Sequence, residues 1–417
     1  MRGALDLSKT AARVSLMRIV VTGASGYVGR HIVPLLAERG ADLLLCGRDK
    51  ARLGKIFPSH SVCDYSDLAE AAKGYTTLVH LAVLNSNSGA SDPKFVNVNV
   101  EEAKKIAELA RGAGITTFIN VSSIHALDPA LKTSYAMSKR RASREIRPGN
   151  GLRIVHLYLP YVYDAGFQSR FRFAGRLPGP LGRVAFEAAT ALKPAVSISR
   201  IAGFISAAEI AENEDPETSV VLSDGQRHNR VFQIVKRTLD LAFAVLVLGF
   251  LWWLLLLVWG LVRLDSPGPG LFRQERIGKD GVPFTCYKFR SMKTGTVQAG
   301  THEVGADAIT RLGSWLRRSK IDELPQVINL LRNEMSLIGP RPCLPSQLEL
   351  IGERRRRGVL SAKPGITGLS QVNGVDMRDP ARLARSDADY LALQSLTLDI
   401  RIALATVSRR MTVPFSG

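Results

Sequence analysis

Cysteines, acidic side chains and aromatics are all scarce in this chain. Cys46, Cys63, Cys286 and Cys343 are scattered, and none forms a CxxC pair. That excludes a zinc ribbon or a disulfide framework and fits reduced thiols in a cytosolic protein. Aspartate and glutamate number 37 against 56 lysines and arginines, a formal charge of +19. Such an imbalance calls for an anionic surface or polyanion as partner. No RNA-recognition signature and no basic–aromatic alternation accompanies it, so nucleic acid is not the partner expected. Anionic lipid accounts for the charge better, because arginines concentrate after an apolar segment, as in Arg317-Arg318 and Arg354 to Arg357. A signal peptide is also missing from the start. Residues 1–16 read as a disordered extension or a mis-called start ahead of Met17.

What is there falls into three parts. A length of 417 residues suggests two or three domains with cores of their own. The spacing of motifs predicts a nucleotide-binding domain over 17–232, a membrane helix over 233–264 and a second catalytic domain over 265–417. Met17 to Val21 is an apolar run leading into TGASGYVGR. Thr22, Gly23, Gly26 and Gly29 follow a strand and open a helix, where glycines let backbone amides approach a pyrophosphate. Further strands are predicted at Asp42 to Cys46, Leu78 to Val83, Thr117 to Val121 and Arg153 to Leu159. They alternate with helical patterns, so the sheet should be parallel and doubly wound. After the second strand Cys46 stands where an NAD-selective site wants a carboxylate. Arg48 and Lys50 follow it, which favours NADP(H) over NAD(H).

Ser123 ends a strand, and Tyr135 and Lys139 share one face of the next helix. Such a lysine can lower the phenol's pKa and hold a nicotinamide ribose, while the serine orients a carbonyl. With TGASGYVG, Asp64, His80-Leu81-Ala82 and Asn99, this region resembles the extended short-chain dehydrogenase/reductases that act on sugar nucleotides. The resemblance implies Ser123, Tyr135 and Lys139 as the catalytic set and Asp64 near the adenine. His80 reads as a hydrogen-bonded core histidine. Two departures stand out: Tyr158-Leu159-Pro160 and Tyr163-Asp164 replace the family's Arg-Pro-Pro and Tyr-Gly, and the substrate lobe is short. A reductase or epimerase of a UDP-sugar and a non-catalytic NADP sensor or scaffold are both compatible with that.

Leu241 to Val262 carries no charge and is long enough to reach across a bilayer core. Lys236-Arg237 precede it and Arg263 follows it, so both flanks carry the cytoplasmic signal. Both neighbouring domains need cytosolic ligands. The segment should therefore enter and leave by one face, as a re-entrant helix–break–helix, with Trp252, Trp253 and Trp259 seeking the interface.

Beyond it, Pro267 to Gly270 forces a turn, and Arg273, Arg276, Lys288 and Arg290 present cations beside a strand-like Phe284 to Phe289. Asp322 and Glu323 sit between Arg317-Arg318 and a Gly-Pro-Arg-Pro corner containing Arg341. Arginine forks suit phosphate oxygens, and a carboxylate among them suits nucleophilic phosphoryl-type transfer. Ser319, three residues before Asp322, reads as a helix start, and adjacent helical residues diverge by about 100°, so the two carboxylates should differ in role.

KRTLD, LDSPGPGLFRQERIG, YKFRSM, LRRSKIDELPQ, MSLIGPRP and KPGITGLSQV together resemble the bacterial sugar transferases, the monotopic phosphoglycosyl transferases, over 233–410. The resemblance implies a mostly helical catalytic domain. It also implies transfer of sugar 1-phosphate from a UDP-sugar to undecaprenyl phosphate, releasing UMP. Asp322 would be the nucleophile, Mg2+ would be held with Glu323, and Arg317 and Arg341 would hold phosphate oxygens. Arg276, Lys288 and Arg290 are further phosphate-binding candidates. The family's helix-breaking Ser-Pro is replaced by Trp252-Trp253, so the break must come from Gly249 or from tertiary contacts. The protein is expected on the cytoplasmic face of a bacterial inner membrane. Its oligomeric state is left open, a homodimer included.

Overall fold

The computed structural model describes residues 17–85, 89–164, 171–207, 215–296, 306–408 and 413. The expected extension before Met17 lies outside them. Two compact units divide the chain. One runs to Arg172 and resumes over Ala195–Asp224; the other joins Phe173–Pro194 to everything from Gly225 onward.

In the first unit seven strands are hydrogen-bonded in parallel. They are β1 (Arg18–Thr22), β2 (Asp42–Cys46), β3 (Ser61–Cys63), β4 (Thr77–His80), β5 (Thr117–Ser123), β6 (Arg153–Leu159) and β9 (Glu217–Val221), in the order β3-β2-β1-β4-β5-β6-β9. β7 (Tyr161–Tyr163) pairs only with β8 (Ala195–Ser197). This is the predicted doubly wound Rossmann sheet. Its strands are continuous apolar runs because helices cover both faces. Ile19 and Val21 pack with Ile32, Val33 and Leu36 on one side, and Val20, Leu78 and Phe118 with Ala103, Ile106 and Ala110 on the other. The order reverses between β1 and β4, which opens a crevice at their carboxyl ends. The fourth strand stops at His80, not Val83. Asn99 explains the early end: its side chain takes both the N–H of Leu84 (2.8 Å) and its carbonyl (3.2 Å).

The second unit includes a helix, Gly179–Leu192, that lies in sequence between β7 and β8. Side chains fasten it there. Gln226 Nε2 donates to the Thr190 carbonyl at 2.6 Å, Asn229 Nδ2 to that of Glu187 at 2.8 Å, and Thr397 Oγ1 to that of Leu192 at 2.7 Å. The same Asn229 caps the next helix, accepting from the N–H of Phe232 at 2.9 Å. Residues counted into the nucleotide-binding domain by sequence therefore belong partly to this unit.

The apolar segment forms two helices, Arg230–Phe250 and Trp252–Asp265, bent by 70°. The expected helix–break–helix is present. Among the described residues no single helix is long and apolar enough to cross a membrane. The break falls on Leu251 (φ −110°, ψ 10°), with Gly249 still inside the first arm. Packing holds the bend without proline: Leu251 and Leu255 join Ala244, Val247, Val327 and Leu330 in one cluster, and Leu254, Val258 and Val262 join Phe289 and Leu316 in another. The outer side is bare, with Phe250 75% exposed and Trp252 and Trp253 more than half exposed.

KRTLD anchors the base of the first arm. Asp240 accepts from Ser336 Oγ (3.0 Å) and the N–H of Leu337 (2.7 Å), Lys236 pairs with Asp399 at 2.5 Å, and Arg237 donates to the Leu330 carbonyl at 2.6 Å. The globular part adds an antiparallel hairpin, β10 (Leu271–Ile277) with β11 (Pro283–Phe289), and a short parallel pair, β12 (Ser336–Ile338) with β13 (Gly365–Thr367). Arg354 does not serve as a lipid-facing charge. It is buried, donating to Asp387 Oδ2 through Nη2 (2.6 Å) and to the Arg341 carbonyl (2.8 Å).

Candidate functional site

The first unit presents its candidate groups at the carboxyl ends of β1, β2 and β5. Gly23 takes φ +74°, and a Cβ there would stand 2.5 Å from the Ala82 nitrogen; one on Gly29 would stand 2.5 Å from the Ala24 Cα. Only glycine fits either place, which leaves the loop's amides uncovered ahead of the Tyr27–Glu38 helix. Thr22 is not part of that open loop: its hydroxyl lies 2.8 Å from His80 Nδ1. Burial, with Lys139 adding to it, lowers the His80 pKa to about 3, so this histidine is a neutral core group. Cys46 is fully buried, while Arg48 and Lys50 are exposed just past β2. Asp64 accepts from the N–H groups of Ser66 (3.0 Å) and Asp67 (3.3 Å), which shapes the turn after β3.

Ser123 and Tyr135 are brought together, and the serine's hydrogen bond favours the ionised phenol. Burial outweighs it and pushes the Tyr135 pKa up. The expected lowering by Lys139 is not the dominant effect. The ammonium donates instead to the Val121 carbonyl at 3.0 Å, and burial brings its own pKa down to about 8. Asn99, within a π-helical turn over Asn97–Glu101, supports this helix by donating to Ser138 Oγ at 3.0 Å.

The second site is a cavity of 520 Å³ in the other unit. Asp322, Glu323, Arg317, Arg341, Arg276, Lys288 and Arg290 all line it. The chain reaches it through an irregular turn. Ser319 ends the Arg311–Ser319 helix and donates to the Trp315 carbonyl at 3.0 Å, so it is not the expected cap. Lys320 then adopts φ +60°, a left-handed conformation costly for a side chain other than glycine, and Asp322 and Glu323 follow in a 3-10 helix, Ile321–Gln326.

The carboxylates differ as their divergent directions predict. Glu323 Oε1 accepts from Lys288 Nζ at 2.7 Å and from Arg341 Nη2 at 3.4 Å. Burial opposes its charge, but Lys288 and then Arg341 prevail and hold its pKa down to about 2. Asp322 is 8% exposed, and among the described residues no hydrogen bond to its carboxylate contributes. Burial and the Glu323 charge raise its pKa to about 6 against the pull of Lys288, Arg317 and Arg341.

The cations are also sorted. Arg317 donates to Ser291 Oγ at 2.8 Å through Nε, whereas Arg276 engages all three nitrogens, Nε (3.0 Å) and Nη2 (2.5 Å) with Gln274 Oε1 and Nη1 with the Pro342 carbonyl (3.0 Å). Arg290 is also committed to protein partners. Its guanidinium donates to the carbonyls of Val262 (3.0 Å), Ser266 (2.6 Å) and Pro267 (2.6 Å), closing the end of the second apolar arm. Lys320, Ser291 and Gln274 also line the cavity, and sequence offers no signal for them: inside LRRSKIDELPQ nothing local announces a left-handed residue at Lys320.

A model of bacterial sugar transferases matches residues 231–413, and one of the NAD dependent epimerase/dehydratase family matches residues 19–170. The exopolysaccharide production protein PSS of Rhizobium leguminosarum bv. phaseoli is 39% identical over 198 residues, 43% of this chain and 96% of that one. The chain belongs to the bacterial sugar transferase family. A UDP-glucose:undecaprenyl-phosphate glucose-1-phosphate transferase of Caulobacter vibrioides is 39% identical over 186 residues, 42% of this chain and 70% of the relative. One of the same description from Xanthomonas campestris pv. campestris is 40% identical over 199 residues, 44% of this chain; there the match spans only 40% of the relative's length. Among solved structures, a UDP-galactose 4-epimerase is similar at 17% identity and a TM-score of 0.38, over 55% of this chain and 83% of its own.

Proposed function

We propose that the second unit transfers a sugar 1-phosphate from a UDP-sugar to a polyprenyl phosphate such as undecaprenyl phosphate, and that the first unit modifies the UDP-sugar with NADP(H). One observation carries the transferase reading. Two adjacent carboxylates share a cavity walled by cations, and among the described residues only one of them is neutralised by ion pairs. Asp322 is left free to act as the nucleophile.

In that reaction an Asp322 oxygen attacks the phosphorus that bears the sugar. The bond to the UMP oxygen breaks, and UMP leaves with the electron pair. The acceptor's phosphate oxygen then attacks the aspartyl-bound phosphorus, forms the new diphosphate and returns Asp322 as carboxylate. Arg317, Arg341 and Arg276 bind phosphate oxygens as their charge spreads. Glu323, ionised down to about pH 2, suits support of a cation better than donation of a proton. Asp322 and Glu323 would hold Mg2+; among the described residues no third metal-ligating group joins them, which leaves the rest of its shell to diphosphate and water. When bound, Mg2+ neutralises the diphosphate charge.

The bent helices support a place at the membrane. Each apolar arm, Leu241–Phe250 and Trp252–Val262, is about 15 Å long, the depth of one leaflet. Such a hairpin enters and leaves by one face, keeping both units on the cytoplasmic side of the inner membrane, beside anionic lipid.

For the first unit the uncovered glycine loop fits a dinucleotide pyrophosphate, and exposed Arg48 and Lys50 suit the 2′-phosphate of NADP. Tyr135 would pass a proton to or from the oxygen of a keto or hydroxyl group of the UDP-sugar, while the carbon exchanges hydride with the nicotinamide, with Ser123 orienting that oxygen and Lys139 holding the ribose. Bound NADP(H) supplies hydride chemistry. Covalent linkage of the two activities raises the local concentration of the intermediate. A second reading makes this unit an NADP-binding sensor or scaffold; it is favoured because Phe173–Pro194, at the place of a substrate lobe, belongs to the other unit. The test is UMP release from a panel of UDP-sugars. It should be abolished in Asp322→Asn, and NADPH oxidation with a 4-keto UDP-sugar should be abolished in Tyr135→Phe. Absence of UMP release in the wild type overturns the first assignment, and absence of NADPH oxidation favours the scaffold.

A further inference from the structure

A second cavity, of 880 Å³, adjoins the first and shares three residues with it: Lys320, Glu323 and Arg341. Asp322 lines only the first. The shared residues form a charged partition, with Glu323 held by Lys288 on one side and Arg341 beside it. Away from that partition the walls are mainly apolar, with Asp376 and Arg378 the charged residues among them. Phe243 comes from the first arm of the bent helix, Ile366 from β13, Val375 and Met377 from the loop after the short Leu369–Val372 helix, Leu383 from the Pro380–Leu393 helix and Ala403 from the Leu396–Ser408 helix. The volume lies within the range of about 300–1,000 Å³ typical of cavities that enclose organic ligands. A water-filled apolar space of that size gains by admitting hydrocarbon.

We propose that this cavity binds the first isoprene units of the acceptor, with the acceptor phosphate at the Lys320–Arg341 partition. The inference rests on the transferase reading and deepens it. An amphiphile with one anionic end and one apolar chain matches a cavity with cations at the shared partition and mainly apolar walls beyond it. A UDP-sugar, polar along its whole length, matches only the first cavity. Phe243 makes the second one continuous with the apolar arm, so a chain longer than the cavity has a route into lipid along that helix. In the second displacement the acceptor oxygen must attack in line with the Asp322–phosphorus bond, on the side that UMP has vacated, and a phosphate held at the shared partition borders the first cavity where that bond lies.

The full-length protein in detergent would be assayed with UDP-glucose as donor and farnesyl phosphate or butyl phosphate as acceptor. Ile366→Trp fills the apolar space. The KM for farnesyl phosphate should rise about tenfold or more, the cost of losing roughly one buried methylene pair, while the UMP burst seen with UDP-glucose alone persists and reports a folded donor site. Wild-type protein should prefer farnesyl over butyl phosphate, and the variant should lose that preference. An unchanged KM and preference in a variant that keeps its burst overturns the inference. If Ile366→Trp loses the burst, labelling the wild type with a diazirine-tagged farnesyl phosphate decides. Adducts on the peptide holding Val375 and Met377 support the cavity, and adducts only elsewhere overturn it. A wild type without any UMP burst defeats the transferase reading instead, and the labelling still judges the cavity.

Discussion

Lys288 Nζ reaches Glu323 Oε1 at 2.7 Å and makes no hydrogen bond to the neighbouring Asp322. Burial and the Glu323 charge raise Asp322 to about 6, while Lys288, with Arg341 after it, overcomes burial and holds Glu323 at about 2. The ionised pair member stays charged throughout the physiological range. The other becomes charged only as the pH rises through about 6.

That difference sets a pH dependence. A nucleophilic carboxylate works only when deprotonated, and the folded pKa of Asp322 is raised, so UMP release should fall as the pH drops through about 6. Lys288 lowers the Asp322 pKa in the native protein. Lys288→Met removes that pull, so the acid limb should move to higher pH. Stopped-flow UMP release across pH 4.5–8 (about half a unit per step) at constant ionic strength checks both statements. An acid limb that stays in place in Lys288→Met contradicts the assignment.

Arg290 and Arg341 both line the cavity, but their roles should separate on mutation. Arg290 satisfies three carbonyls at the end of the Trp252–Asp265 helix. Arg290→Gln leaves several of them unpaired and should cost about 3 kcal/mol of stability, read as a drop in Tm in detergent. Arg341, part exposed and paired to Glu323 at 3.4 Å, should behave in the opposite way. Arg341→Gln should leave Tm within about 1 kcal/mol of wild type and raise the KM for UDP-sugar about tenfold or more.

These roles show where sequence was legible and where it was not. β2 and β6 could be bounded to the residue because each is an apolar run enclosed between helices, buried on both faces. β9, Glu217–Val221, could not: ETSVV has neither a continuous nor a cleanly alternating apolar pattern, and it becomes a strand only by pairing with β6 at the sheet edge. The bend was legible from charge on both flanks, but its position was not, since Leu251 is fixed by packing against residues up to about eighty positions away. Among the arginines, composition could count cations but could not say that Arg354 pairs with Asp387 or that Arg290 closes a helix. Asp322 and Glu323 were legible because they are contiguous. Their division of labour depends on Lys288, which a β-hairpin brings in from 35 positions away.

In the first unit, exposed Arg48 beyond buried Cys46 should decide the cofactor. Arg48→Ala should weaken NADPH binding about tenfold, the loss of roughly one charge-assisted phosphate contact, and leave NADH nearly unchanged. Fluorescence titration of both nucleotides measures this. Equal losses for the two would show Arg48 to be a surface charge with no part in the phosphate site. Tyr135→Phe should keep both affinities while removing NADPH oxidation, because the phenol meets Ser123 and not the glycine loop.

The 70° bend at Leu251 predicts a topology. A straight span would put the amino and carboxyl termini in different compartments, whereas two arms of one-leaflet depth return the chain to its starting side. The anchors agree with the return. Lys236, Arg237 and Asp240 tie the base of the first arm to Asp399, Leu330 and Ser336, and Arg290 ties the end of the second arm to the β10–β11 hairpin that follows. A span would put one of those bases across the bilayer from its partners and break buried charged contacts, at a cost of several kcal/mol each. Reporter tags on both termini should therefore report the cytoplasm, and cysteines placed at Phe250 or Trp253 should resist labelling by membrane-impermeant maleimides added to intact cells. Labelling of those cysteines from the periplasm, or tags on opposite faces, would rule the hairpin out, and with it the cytosolic supply of UDP-sugar to one of the two units.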